Sequence, residues 1–225
     1  MNTKSSYWLH AIESSEGLNT VDRLNEILFG LIMVLTFTCS ISAATAGHEE
    51  LPTILWSALG CNVAWGLIDA LMYLFAVMLG RGEMFDNVRK IRNATTSANA
   101  NAAIREALPS AISSLLKAEH INYLNEQIKN LPEPPSRVSL VWQDLWRALA
   151  IFLMVFLSTF PVTLPFLFIR DISVAIRISN AIALILLFTT GVYLARHTGR
   201  QKILSGLAFT FIGFLVVSVT MALGG

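Results

Sequence analysis

Long apolar runs alternate with short polar joints along this chain, and one long polar stretch interrupts the series. Apolar runs cover residues 24–46, 56–79, 141–169, 178–195 and 203–223. Each holds about the 20 residues that a helix, rising about 1.5 Å per residue, needs to cross a hydrocarbon core of about 30 Å. The pattern predicts an all-α, polytopic membrane protein with five transmembrane helices. An odd number of crossings puts the two termini on opposite sides of the bilayer.

Between the second and third runs, residues 81–140 lose the apolar character and take up helical periodicity instead. Ile104, Leu108, Ile112, Leu115 and Leu116 recur at helical spacing, as do Ile121, Leu124, Ile128 and Leu131. These are amphipathic helices whose apolar stripe needs a partner surface. Pro109 is placed to open a new helix, and the PEPP run at 132–135 to end the last one. The stretch ATTSANANAA reads either as a connector or as a helix of modest propensity. The organisation expected is an N-terminal tail or interfacial segment at 1–22, two spans at 23–80, a helical insert at 81–140 and three spans at 141–225. In the tail, Tyr7, Trp8, Leu9 and Ile12 could form a short amphipathic turn on the membrane surface, or belong to a loosely ordered end. The polar, Ser-rich start lacks the basic end and apolar core of a secretory signal.

Composition agrees with this reading. Hydrophobic residues make up 54% of the chain and charged ones 14%, with a mean hydropathy of +0.60; soluble domains carry about 25% charged residues. A net charge of +1 leaves no basic face for nucleic acid. The two cysteines, Cys39 and Cys61, both fall in apolar runs and form no CxxC pair, so they read as small packing residues. No HExxH, P-loop, GxGxxG or Ser/His/Asp set appears, and an enzyme is not expected.

Candidate chemistry lies in the polar residues inside the oil. Asp69 sits within the second run, where a carboxylate costs on the order of 2.5 to 3.5 kcal/mol on insertion scales and therefore faces protein, water or a cation. Asn62 lies seven residues earlier, two helical turns, so both side chains share one face. They either fix helix packing through hydrogen bonds or serve an ion. Glu26 starts the first run, where a carboxylate also suits the positive end of the helix dipole. Pro161 and Pro165 break the third run and leave carbonyls without their usual donors. In the insert, Glu119, His120, Tyr123 and Glu126 could hold a divalent ion, though solvated charges on a polar face explain them more cheaply.

Basic residues set the orientation. With the N-terminus inside, all of the 16 Lys and Arg residues except Arg170 and Arg177 fall on the inner side. The positive-inside rule then puts the N-terminus and the 81–140 insert in the cytoplasm and the C-terminus on the far side.

This layout, with the local sequences RLNEILFGLIMVLTFTCSIS, FPVTLPFLF and ALILLFTTGVYLARHTGRQKILSGLAFTFIGFLVVSVTMALG, resembles the vacuolar iron transporter (VIT/CCC1) family. Glu26 and Gly30 stand at matching positions. The departures are as informative as the match. Where the family carries an ion-binding Asp-Gly pair in the first span, this chain has Met33 and Val34. The family's second-span Glu falls on Asn62 and its Met on Ala70, while Asp69 stands where a small residue is usual. The family's metal-binding glutamates in the insert are reduced to Glu83, Asp86 and a distant Glu106.

The resemblance implies a homodimer in the lipid bilayer that exports a divalent cation, iron or manganese, from the cytoplasm in exchange for protons. Asp69 would be principal ligand and proton acceptor, Asn62 and Met33 supporting oxygen and sulfur donors, and Glu26 the group at the cytoplasmic mouth. A thioether beside carboxylate oxygen suits a first-row divalent ion. The cation is cargo; no resident cofactor is expected. The alternative is a membrane scaffold of the same fold that does not transport and whose cytoplasmic helices bind a partner.

Overall fold

The computed structural model describes residues 7, 8, 12, 20–45 and 51–224. Every regular element among them is helical: α1 (Thr20–Thr45), α2 (Leu51–Arg92), α3 (Ser97–Ala107), α4 (Ser110–Leu115), α5 (Ala118–Asn130), α6 (Trp142–Ser158), α7 (Phe160–Thr163), α8 (Pro165–Phe168), α9 (Ile172–Thr198) and α10 (Lys202–Gly224). Among the described residues, four helical stretches are long and apolar enough to cross a bilayer, Trp56–Arg92, Trp142–Thr163, Ile172–Thr198 and Lys202–Val219. The first expected span falls on α1, which carries Asp22, Arg23 and Glu26 in its first two turns. The acidic turn expected at 47–50 lies outside the described residues.

The chain divides into two compact units, one of residues 1–16 with 73–145 and one of 17–72 with 146–225. In the second unit, α1, α9 and α10 pack together. Leu31, Val34 and Leu35 of α1 close on Val162 of α7 and on Ala183 and Leu187 of α9. The third apolar run is broken at the two prolines, as its sequence predicts: α6 stops at Ser158 and two single-turn pieces, α7 and α8, each begin at or next to a proline. The rupture is bridged from α9, where Ser179 Oγ donates to the carbonyl of Val162 at 2.7 Å. Asp171 then caps α9, its carboxylate accepting from the Val174 amide at 3.1 Å.

In the first unit, α2 does not end where the hydropathy collapses at Arg81. It continues to Arg92, because its intrahelical hydrogen bonds are independent of the change from oil to water and no Pro or capping residue intervenes. Thr96 caps α3 by accepting from the Asn99 amide at 3.2 Å, so the Ala/Asn stretch is a short turn followed by a helix. Pro109 precedes α4, and α5 closes at Asn130 ahead of the PEPP run, as expected. The apolar stripes of α3 and α5 bury each other: Ala100, Ile104 and Ile121 form a core with Ile91 of α2. Ile112 and Leu115 of α4 stay exposed.

Two findings correct or extend the expectations for this unit. Trp8 and Ile12, expected on a membrane surface or in a loose end, turn their side chains into the protein. They are 4% and 5% exposed, packed with Phe85, and the Trp8 indole donates to the Pro132 carbonyl at 3.1 Å. The large indole is buried with its N–H satisfied, as a buried Trp requires. Leu9 lies outside the described residues. The second finding is a buried ion pair. The Arg81 guanidinium grips both carboxylate oxygens of Asp144, at 2.6 and 2.8 Å, and donates to the Ser139 carbonyl at 3.0 Å. Asp144 also accepts from the Val141 amide at 2.8 Å, capping α6. Farther along α2, Arg89 donates to the Pro135 carbonyl and Arg92 to the Leu131 carbonyl, which lays the proline-rich segment against the helix.

Candidate functional site

One stripe of α2 faces protein within the second unit. Ala58, Asn62, Gly66 and Ala70 are buried at intervals of four, while Val63, Leu67 and Leu71 face outward. Gly66 allows the close approach: a Cβ there would stand 3.1 Å from the Phe152 ring and 3.2 Å from the Phe152 carbonyl of α6. Gly30 does the same for α1, where a Cβ would meet Ser158 Oγ and lie 2.9 Å from the Val155 carbonyl. On the neighbouring edges of α1 and α2, Phe29 and Trp65 meet edge to face at 5.9 Å.

Asn62 is 1% exposed. Its Nδ2 donates to the Ala58 carbonyl one turn back at 2.9 Å, which aims Oδ1 away from the helix backbone, and Oδ1 has no hydrogen-bond partner. Asp69 is half-buried, and its buried Oδ2 likewise lacks a partner. Seven residues of helix separate them by about 10.5 Å and turn them to within about 20° of the same direction. Two acceptors thus sit on one face with no donor supplied to either among the described residues. An unsatisfied buried acceptor costs about 1–3 kcal/mol, so the pair is not explained by packing alone.

The four residues expected to act together are divided between two levels. Glu26 of α1 is half-buried and lies close enough to Asp69 and Asp22 for their charges to act on it. Met33, two turns farther along α1, lines an apolar cleft of about 370 Å³ with Phe29, Thr36, Phe37, Cys61 and Trp65. Glu26, Asn62 and Asp69 do not line that cleft. Cys61, expected to be a packing residue, therefore shares a cleft with the Met33 thioether, a neighbourhood that its apolar sequence surroundings do not reveal. Chemically, Glu26 and Asp69 supply carboxylate oxygens, Asn62 an amide oxygen, and the Met33 cleft sulfur.

No group of three or more His, Cys, Asp and Glu residues comes together among the described residues. In the insert, His120 accepts from the Lys117 amide through Nδ1 and so caps α5, while Glu119, Tyr123 and Glu126 are exposed. The solvated-face reading of that segment accounts for them.

All-helical architecture and several bilayer-length apolar helices define a multi-pass integral membrane protein. The VIT family profile matches residues 100–225, more than half of the chain, and the chain belongs to the VIT family. Its members are membrane metal-ion transporters rather than enzymes. The match covers most of the insert and the last three apolar runs; Glu26, Met33, Asn62 and Asp69 all precede it. No curated protein matches the chain.

Proposed function

We propose that this protein exports a divalent cation, iron or manganese, from the cytoplasm in exchange for protons. Five spans cross the bilayer in this reading, with the N-terminus and the 81–140 insert cytoplasmic and the C-terminus on the far side. The working unit is a homodimer. The observation that carries the reading is the pair of unsatisfied oxygens, Asn62 Oδ1 and Asp69 Oδ2, on one face of a membrane helix. An acceptor without a donor in a low-dielectric setting is relieved by a cation or, at a carboxylate, by a proton.

Charge balance supports the exchange. Glu26 lies within electrostatic reach of Asp69 in the same unit. Two carboxylates held close in oil repel unless something positive joins them. A divalent cation neutralises both at once, and so do two protons. Binding the cation from the cytoplasm releases protons, and protonation from an acidic far side releases the cation, so one cation trades for two protons without net charge movement. Asp69 is the principal ligand and proton acceptor, with Glu26 at the cytoplasmic mouth. Asn62 and the Met33 sulfur serve the second level, where a soft donor favours a first-row metal over magnesium.

A scaffold role would draw on an unpartnered apolar stripe in the insert; the stripes of α3 and α5 bury each other, which leaves only Ile112 and Leu115 of α4 exposed for it. The transport reading is tested with the full chain in vesicles of acidic interior, following Fe(II) and Mn(II) entry. Wild type moves at least one of them and Asp69→Asn does not. Equal uptake by both removes Asp69 from the mechanism, and uptake by neither across several cations overturns the transport reading.

A further inference from the structure

A groove of about 1130 Å³ in the first unit runs beside α2 where that helix leaves the apolar run. One end is oily, lined by Phe75, Met78 and Leu79, of which Phe75 and Leu79 are 63% and 75% exposed. The other end is charged, lined by Glu83, Asp86, Arg89 and Lys90 of α2 and by Glu106 at the end of α3. It exceeds the roughly 300–1,000 Å³ of ordinary small-molecule clefts and changes from apolar to charged along its length. The occupant it fits is an amphiphile.

We propose that the groove seats a phospholipid with a primary ammonium headgroup, its acyl chain along Phe75, Met78 and Leu79 and its head between Lys90 and the carboxylates of Glu83 and Glu106. Axial distances agree. At about 1.5 Å per residue, Glu83 stands about 6 Å beyond Leu79, within the headgroup layer of about 5–7 Å on each face. Lys90 starts about 16 Å beyond Leu79. Helical side chains lean toward the N-terminus of their helix, so its long chain reaches back toward the phosphate level.

The charges select the head. Asp86 is neutralised by Arg89 at 2.7 Å. That leaves one ammonium, Lys90, and two carboxylates, Glu83 and Glu106, engaged in no ion pair among the described residues. An anionic lipid such as phosphatidylglycerol would answer Lys90 but bring the two carboxylates only neutral hydroxyls, with no positive charge to balance them. Phosphatidylcholine carries a cation without N–H donors. Phosphatidylethanolamine supplies a phosphate for Lys90 and an N–H-bearing ammonium for Glu83 and Glu106.

The test takes the full chain, purified and delipidated in detergent. It is titrated with phosphatidylethanolamine, phosphatidylcholine and phosphatidylglycerol of one acyl composition, and the first saturable adduct is read by native mass spectrometry. Wild type takes the ethanolamine lipid about fivefold more tightly than the other two, the equivalent of about 1 kcal/mol for an exposed charge pair. The doubly substituted Glu83→Gln, Glu106→Gln protein loses the preference over phosphatidylcholine while keeping its affinity for that lipid. Lys90→Gln weakens all three alike. All three positions are exposed, so helical content by circular dichroism stays at the wild-type value. Equal binding of the ethanolamine and choline lipids, tightest binding of the glycerol lipid, or a preference untouched by the double substitution overturns the proposal. So does a protein that takes no adduct while Met78→Cys links two copies through a disulfide, which would make a second copy the occupant. The transport assay is independent of every one of these results.

Discussion

Breaking the buried ion pair between Arg81 and Asp144 should be among the most damaging single changes available in the first unit. The side chains are 9% and 0% exposed, and the hydrogen bonds that hold them include two between the charges, one from Arg81 to Ser139 and one from Val141 to Asp144. In Arg81→Met the Asp144 carboxylate stays buried without the cation that balances it, although the Val141 amide still donates to it. Removing one partner of such a pair costs about 3–5 kcal/mol, because the survivor is a desolvated, unbalanced charge. For a chain of this length that corresponds to a fall in Tm on the order of 10 °C. Asp144→Asn should cost somewhat less, since the amide still accepts from Val141 and Arg81 still reaches Ser139. The double variant should lose less than the two single losses combined, the difference being the coupling of the pair. The assay is thermal unfolding in one detergent, read by circular dichroism for the wild type, both single variants and the double. Single variants within 1 °C of wild type, or strictly additive losses, would refute the account of the pair as a buried clasp.

Trp8→Ala removes an indole packed on Phe85 together with its bond to Pro132, and should cost about 3–5 kcal/mol. Limited proteolysis within 131–140 should accelerate by at least tenfold; an unchanged digest would mean the contact is dispensable. Gly66→Leu drives a side chain into Phe152, and should cost about 1–3 kcal/mol with partial recovery in Phe152→Ala, both read as Tm. Asn62→Leu removes an orphaned oxygen from a buried site, so stability should hold or rise while Fe(II) or Mn(II) uptake falls at least tenfold. Uptake at the wild-type level in that variant would return Asn62 to packing. Ser179→Ala strips the Val162 carbonyl of its donor and should lower stability by about 1 kcal/mol.

Hydropathy made the membrane helices legible because crossing oil demands an unbroken apolar run, and helical spacing likewise exposed the insert, where Ile104 and Ile121 do form its core. The prolines at 161 and 165 broke their helix for the reason the sequence offers, a missing amide donor. What stayed hidden is non-local. Trp8 and Pro132 are 124 positions apart, and a four-residue apolar cluster near the start of a chain gives no sign of which distant surface it meets. Arg81 counts in the sequence as one more positive charge on the inner side; only the fold brings Asp144, 63 positions away, against it. The four candidate site residues were legible as anomalies in oil, since each breaks the apolar pattern locally. Their division into two levels was not, because it depends on the relative register of α1 and α2.

That register bears on why a family member could exchange one ligand set for another. Phe29 meets Trp65, and Glu26 lies within electrostatic reach of Asp69, so α1 and α2 run in opposite directions with Met33 near the level of Asn62 and Cys61. The positions where the resemblance puts the ion-binding acids, Met33 and Asn62, form the inner level and now carry no charge. The carboxylate at Asp69 stands about 10.5 Å away, within electrostatic reach of Glu26 of α1. A lone buried carboxylate at the inner level would require its own counter-charge, whereas at the level of Glu26 it shares one. Moving the acid two turns along the same face therefore keeps it aligned with Asn62 while giving a divalent ion two carboxylates at the mouth in place of two at the centre. On the proposed route, a cation leaving that mouth next meets the unsatisfied oxygen of Asn62, which binds without charge and so releases more readily than an acid would. On that proposed route the inner level would work as a passing point, and the Glu26–Asp69 level as the place where metal and protons are exchanged.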